Sequence, residues 1–461
     1  MNFWNIDNIK EALGDIRTYN FPSDWSSNGM VIWHENFKPE NMILVRNQRD
    51  KKGVLPSIVP QLADDCAAII TNDSASFFKY NKPIIECQGN NANVIINLAR
   101  YIRKHFQGKV IGITGSSGKS TTTKMLTNIF SSKYKTNSNI YSKANTTWGI
   151  AWNMTRFGID DDYWIIETSL GGGMSRNSAL TKPDYAIITN IAPVHITGNM
   201  ELKDIADEKS KIFNSMQEGS PVVIYRGMEY FDIVKKAAEY KGLKIITFGE
   251  EDDADIRIVT GNENKFIIDE KEYPLTNTKV FGRHIMLDMA AALGIVRETG
   301  FSINDAINIL ENFKALEGRG EEFKIKYPDN KSIVIVDESY NANPLSMAAA
   351  ITAFGEKYKD KNKVLVLGDM AECGPDSEKY HREISISIDR IKPNKILLCG
   401  NDIKYLYDEI KERYNVKLYT DTKVLNESLY SELSDGDFVM FKSSHSGNLY
   451  QIIEGLKKYN C

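Results

Sequence analysis

The run Val110-Ile111-Gly112-Ile113-Thr114-Gly115-Ser116-Ser117-Gly118-Lys119-Ser120-Thr121 constrains this chain more than any other segment. Its apolar start predicts a buried strand over 109–114. A loop of small residues follows, and Met125, Leu126, Ile129 and Phe130 continue at helical spacing. Strand, glycine loop and helix in that order make an anion cradle. Glycines let backbone amides turn inward, and the helix adds its positive end. Lys119 is then placed to reach the terminal phosphates of a nucleotide, and the Ser120 hydroxyl to sit on Mg²⁺. The spacing is Gly-x-x-Gly-x-x-Gly-Lys-Ser, whereas the commoner phosphate loop would carry glycine where Ile113 stands.

Such a loop needs parallel neighbours. Short apolar runs at 163–166, 185–189, 221–225 and 244–248 alternate with helical patterns, and helices are expected at 285–297 and 303–313. Before the loop, runs at 42–45, 67–70 and 84–85 and a helix over 93–106 read as a smaller α/β unit. After Gly318-Arg319-Gly320, a candidate hinge, strands at 332–336, 364–367, 395–398 and 438–441 again alternate with helices. A chain of 461 residues exceeds one compact core. The expected fold class is therefore α/β in three domains: a small N-terminal α/β domain (1–107), a central P-loop ATPase domain on a parallel sheet (108–318), and a C-terminal Rossmann-like α/β domain (319–461).

Composition excludes several partner classes. A net charge of −4 shows no basic excess for nucleic acid or an anionic membrane. No stretch approaches the ~20 apolar residues of a membrane span, and the opening MNFWNIDNIKEALGD has neither signal-peptide nor anchor character. Cys66, Cys87, Cys373, Cys399 and Cys461 are scattered, without CxxC or zinc spacing, and read as reduced thiols. The expectation is a cytoplasmic monomer with no membrane span and no nucleic-acid partner.

Two further residues fall where a nucleotide site would be completed. Glu167 ends the run Tyr163–Ile166, and an acid at a strand tip facing a phosphate loop can hold Mg²⁺. His195 follows the run ending at Asn190, near the carboxyl edge where open α/β sheets bind ligands. Charge pattern alone makes Lys209 a solvated helix lysine.

Taken together these segments resemble the Mur ligase family, ATP-dependent amide ligases of peptidoglycan synthesis. Thr114–Thr121 is similar to that family's own phosphate loop, Thr189-Asn190-Ile191 with His195 to its second central motif, and Ile205-Ala206 with Lys209 to the segment whose lysine is carbamylated in much of the family. Asp337-Glu338-Ser339-Tyr340-Asn341-Ala342-Asn343-Pro344, Leu367–Gly374 with Ser377 and His381, and Lys442–Ser446 resemble the branch that adds D-alanyl-D-alanine. The likeness spans about residues 80 to 455.

The resemblance implies an ADP-forming ligase that makes an acyl phosphate from a carboxylate and passes the acyl group to an amine, for cell-wall biogenesis. Its cofactors would be ATP and Mg²⁺. Lys119, Lys209, His195 and Glu167 would be catalytic. Gly115, Ser116, Ser117, Gly118, Lys119, Ser120, Thr121, Arg319 and Asp337 would bind ATP, and Asn341 and Asn343 substrate. Ser120, Glu167, His195 and carbamylated Lys209 would hold metal. The acceptor would be a peptide or nucleotide-sugar peptide, a UDP-muramoyl tripeptide in that branch, and the donor an amino acid or dipeptide. Three departures keep open a relative that joins an amino acid to another peptide, polymer or natural-product carboxylate. Ile285 follows Gly282-Arg283-His284 where many members carry asparagine for adenine, 171–173 is a glycine triplet, and 1–80 lacks a clear Asp-Ser-Arg element.

Overall fold

A computed structural model describes residues 3–460 apart from 49, 143, 193–200, 262, 277–281 and 372. Three large sheets follow one another along the chain. The first has five strands, in the order Ile16–Tyr19, Ile84–Cys87, Ala68–Thr71, Met42–Leu44, Met30–Val31, with only the Ile16–Tyr19 pairing antiparallel. Helix Asn91–His105 covers it, started by the Asn90 side chain, which accepts from the Ala92 N–H.

The central sheet has nine strands. From one edge they run Thr136–Ser138, Tyr163–Glu167, Lys109–Thr114, Tyr185–Ile188, Pro221–Tyr225, Lys244–Gly249 and Ile256–Val259, all parallel, and end in the antiparallel pair Lys265–Ile268 and Lys271–Pro274. The interior strands are buried on both faces by helices, so they read as continuous apolar runs. Lys109–Thr114 lies between Tyr163–Glu167 and Tyr185–Ile188, with Ile113 opposite Glu167 and Thr114 opposite Ile188. The chain departs from this strand to one side and returns on the other, and the crevice beyond the carboxyl ends at such a reversal is the binding position of open α/β sheets.

The third sheet orders Glu321–Lys326, Ser332–Glu338, Phe438–Lys442, Lys363–Gly368, Lys395–Cys399, Val416–Tyr419, parallel but for its first strand. Separate apolar clusters fill its two faces, one around Met347, Leu365 and Leu398 and one around Ile335, Val366 and Leu449.

The first two sheets share a core. Trp4, Ile95, Leu98, Trp152 and Trp164 belong to one apolar cluster. Two indoles stitch its halves, Trp4 Nε1 donating to Thr155 O and Trp152 Nε1 to Met30 O, each at 2.7 Å. Among the described residues no helix is long and apolar enough to cross a membrane.

Candidate active site

The loop after Lys109–Thr114 is held from the neighbouring strand end. Asn190 Oδ1 accepts from the Ser116 N–H (3.2 Å) and the Ser117 N–H (2.9 Å), while Asn190 Nδ2 donates to Ser117 Oγ at 2.6 Å. Ser116 Oγ donates to Ala192 O at 2.9 Å. Gly115 has φ +152, and a Cβ there would lie 1.8 Å from Thr189 Oγ1. Gly118, at φ +78, occupies the left-handed region that favours glycine and precedes helix Lys119–Ser131. The first amides of that helix have no intrahelical acceptor and face the crevice, which is an anion site by construction.

Both lysines converge on one oxygen. Lys119 Nζ donates to Gly115 O at 2.8 Å, and Lys209 Nζ to the same carbonyl at 2.9 Å. Lys209 is 2% exposed, on helix Leu202–Ser210. Burial, and then the nearby Lys119 charge, drive its pKa well below the ordinary lysine value, with Glu167 opposing. Burial also lowers Lys119, against the attraction of Glu167. Charge pattern could not reveal this. Lys209 reads as a surface residue until the helix is laid against the loop.

Glu167 closes the other side. Its Oε2 accepts from Ser120 Oγ at 2.6 Å and its Oε1 from Asn145 Nδ2 at 2.7 Å. A hydroxyl and a carboxylate so paired are the hard oxygen donors that Mg²⁺ selects. Asn145 was not singled out from the sequence, and its neighbours gave no motif. Two of glycines 171–173 have a packing reason here: a Cβ on Gly172, at φ +91, would lie 2.1 Å from Thr147 Oγ1, two residues beyond Asn145, and one on Gly171 2.9 Å from Thr146 Cγ2.

The third sheet delivers its residues from across the crevice. Gly318-Arg319-Gly320 is a turn fixed by Asp337, whose Oδ2 accepts from the Gly318 N–H at 3.1 Å and whose carbonyl accepts from the Gly320 N–H at 2.8 Å. Asp337 is 2% exposed, also accepts from Ser339 Oγ at 2.6 Å, and carries a raised pKa because it is buried. It shapes the turn, and of the adjacent pair Asp337 and Glu338 it is Glu338 that lines the cavity. The Arg319 guanidinium lies 4.1 Å from the Tyr340 ring centroid. Asn343 caps helix Pro344–Lys357 and reaches the phosphate loop, Nδ2 to Ser116 O at 3.5 Å. Asn341 lines the cavity, and its carbonyl accepts from Lys442 Nζ at 3.3 Å. His195 lies outside the described residues.

These parts surround a cavity of about 450 Å³ between the loop and the third sheet. Ser117, Gly118, Lys119 and Thr121 form one end, and Ile191, Met228, Ile285 and Leu345 wall it with apolar surface. Arg319 lines this cavity and a second one of about 190 Å³, whose floor is Ser120, Asn145 and Glu167. His284, from the Gly282-Arg283-His284 segment read for adenine, and Asp288, missed in the sequence, also face the larger cavity. His284 Nδ1 is buried without a partner among the described residues, and burial lowers its pKa. Asp288 is pressed against the loop, since a Cβ on Gly118 would lie 2.2 Å from its Oδ1. An isolated carboxylate within Ile285–Val296, otherwise an apolar helical run, was the available signal. The geometry can hold a triphosphate along the loop and present its end to a group entering over Glu167.

Comparison with known proteins follows the same lines. The Mur ligase middle domain matches residues 113–296, and the Mur ligase, glutamate ligase domain matches 322–445, between them more than half of the chain. The UDP-N-acetylmuramoyl-tripeptide--D-alanyl-D-alanine ligase of Bacillus subtilis (strain 168) is 28% identical over 378 residues, 78% of this chain and 78% of the relative. A crystal structure of MurF from Acinetobacter baumannii superimposes with a TM-score of 0.81 at 19% identity, covering 99% of each chain. The MurF ligase of Thermotoga maritima, solved in complex with ADP, gives 0.75 at 20% identity over 95% of this chain and 99% of that one. These two likenesses are of fold.

Proposed function

The chain belongs to the Mur ligase family of ATP-dependent, ADP-forming ligases, and from that premise we propose that it joins D-alanyl-D-alanine to the terminal carboxylate of a UDP-muramoyl tripeptide. The observation that carries the reading is the Ser120–Glu167–Asn145 chain beside a loop on which Lys119 and Lys209 converge. It sets an anion cradle beside a hydroxyl–carboxylate pair suited to Mg²⁺.

Amide formation needs a better leaving group than hydroxide. In the proposed reaction an acceptor carboxylate oxygen attacks the γ-phosphorus and ADP leaves. The dipeptide amine then attacks the acyl carbon, loses its proton, and phosphate departs. Positioning and charge neutralisation do most of the work in such transfers. Lys119 and the amides of Gly118–Thr121 hold the phosphates, and Arg319, which lines both cavities, faces the transferring group. Ser120 and Glu167 would hold Mg²⁺, which when bound draws charge off the phosphoryl oxygens. Burial favours the uncharged form of Lys209, and that amine can add to CO₂, forming an N–C bond and releasing a proton. The carbamate would be a fixed anion beside Lys119 and, with His195, a further metal ligand. The apolar wall of Ile191 and Ile285 fits the face of adenine, and the unpartnered His284 Nδ1 fits its polar edge. Asp337 acts by fixing the Arg319 turn. Asn341 and Asn343 bring the donor's side to the loop.

In this reading residues 1–107 take the acceptor, 108–318 bind ATP, and 319–461 close over both as a cytoplasmic monomer. The test is ADP release from purified protein given ATP, Mg²⁺, UDP-muramoyl tripeptide and D-alanyl-D-alanine, with single amino acids as controls. Release that requires acceptor and dipeptide together supports the proposal. Release with another acceptor alone would move the enzyme to a different branch of the family.

A further inference from the structure

The smaller cavity has a lip that the reaction above leaves without a role. The short turn Asn139–Ser142 carries Tyr141, a large aromatic left 72% exposed at the mouth of that cavity. Its hydroxyl accepts from Lys124 Nζ at 3.0 Å, and the same ammonium lies 4.6 Å from the ring centroid. Lys124 stands on the helix that begins at the phosphate loop. On the opposite wall Tyr340 is covered in the same manner by Arg319.

Nothing in the packing calls for Tyr141, since most of its ring is in solvent. The turn that presents it is nevertheless fixed to the catalytic floor. Asn139 Nδ2 donates to Glu167 O at 2.9 Å, and the Glu167 N–H returns to Asn139 Oδ1 at 2.8 Å. Tyr141 is thus held at a set place from the carboxylate that faces the reacting group. An aromatic ring with a cation on it is suited to a peptide that carries carboxylates: the ring covers the stem, and the ammonium is within reach of an acid.

Resting on the ligase reading, we propose that Tyr141 and Lys124 are positioning residues for the acceptor, clasping its peptide stem at the mouth of the smaller cavity so that its terminal carboxylate lies over Ser120 and Glu167. The nucleotide enters from the larger cavity and the acceptor from the smaller one, with Arg319 at their common wall.

The test is steady-state ADP release with UDP-muramoyl tripeptide varied at saturating ATP and D-alanyl-D-alanine. Tyr141→Ala is expected to raise the acceptor KM about tenfold, with the ATP KM moved less than about twofold and an unchanged melting temperature. Lys124→Ala is expected to act in the same direction, and Tyr141→Phe, which keeps the ring, to restore most of the loss. An acceptor KM unchanged in Tyr141→Ala, or an ATP KM that rises in step with it, overturns the proposal. A second measurement uses the unaltered protein: nitration at Tyr141, read by mass spectrometry, should be blocked by UDP-muramoyl tripeptide and not by ATP alone. Equal nitration with and without the tripeptide also overturns it. Wild-type protein with no acceptor-dependent ADP release refutes the ligase reading instead, and the nitration experiment then still decides the lip.

Discussion

Asp288→Asn is expected to stabilise the protein increasingly as pH rises, leaving the phosphate loop in place. Asp288 is 7% exposed within helix Arg283–Thr299, and its Oδ1 accepts from Thr122 Oγ1 at a long 3.4 Å. Burial holds its pKa well above the ordinary carboxylate value, and the Thr122 hydrogen bond and the Arg319 charge only partly oppose it. The folded protein therefore keeps a proton that the unfolded chain releases above about pH 3.9. Unfolding free energy then falls with rising pH, by about 1.4 kcal/mol per unit, from there up to the raised folded value. Two pH units inside that window amount to about 2.7 kcal/mol. Asparagine has nearly the same shape and no proton to lose, so its advantage over aspartate grows with that slope and then levels off. The assay is denaturant unfolding of both proteins side by side from about pH 5 to about pH 8, taking the difference so that all other titrating groups cancel. Parallel curves would mean that Asp288 ionises normally in the folded state, and its burial against the phosphate loop would be wrong. Nucleotide affinity offers a second reading. A neutral carboxyl does not repel a polyphosphate, so wild-type affinity should fall as pH rises through the raised folded pKa while that of the variant holds.

Turnover should depend on dissolved CO₂ and fall as pH drops, because only the uncharged Lys209 amine adds CO₂; Lys209→Ala should lose most activity and regain part with short carboxylic acids, and full activity without additive would end the carbamate assignment. Trp152→Phe, which removes the 2.7 Å bond to Met30 O and leaves a buried carbonyl unpaired, should cost about 1–3 kcal/mol and loosen the first sheet from the second, read by hydrogen exchange in residues 26–45. Gly172→Ala should cost at least about 1 kcal/mol for its φ of +91, plus the overlap with Thr147 Oγ1, and should lower kcat by shifting the Asn145 turn. An unchanged melting temperature in that variant would contradict the packing described.

The order of strands and helices was legible because buried parallel strands are continuous apolar runs: 109–114 and 221–225 match the observed Lys109–Thr114 and Pro221–Tyr225 residue for residue. Edge strands were not legible. Lys271–Pro274 ends the central sheet with polar, largely exposed residues, and Val416–Tyr419 and Glu321–Lys326 stand at the two edges of the third with mostly polar or half-exposed ones. One-sided burial leaves too weak an apolar signal in strands of four to six residues. At the site, Lys119 and Ser120 could be read from the glycine loop that opens their helix, and Glu167 from its place at the end of an apolar strand. Asn145, Asn139 and Asp288 could not, because their partners lie 22, 28 and 166 residues away in the chain. Asp337 shows the converse. Its place in a resembling motif points to ATP, while its hydrogen bonds tie it to the Gly318–Gly320 turn.

The central claim is that the loop at Lys119 hands the terminal phosphoryl group of ATP to a carboxylate. Acceptor labelled with ¹⁸O in its terminal carboxylate tests this directly. One labelled oxygen is expected in the phosphate released with each new amide bond, and neither label transfer nor ADP formation in a folded Lys119→Ala protein. Unlabelled phosphate from the wild-type reaction would contradict it, because the carboxylate oxygen would then never have been bonded to phosphorus.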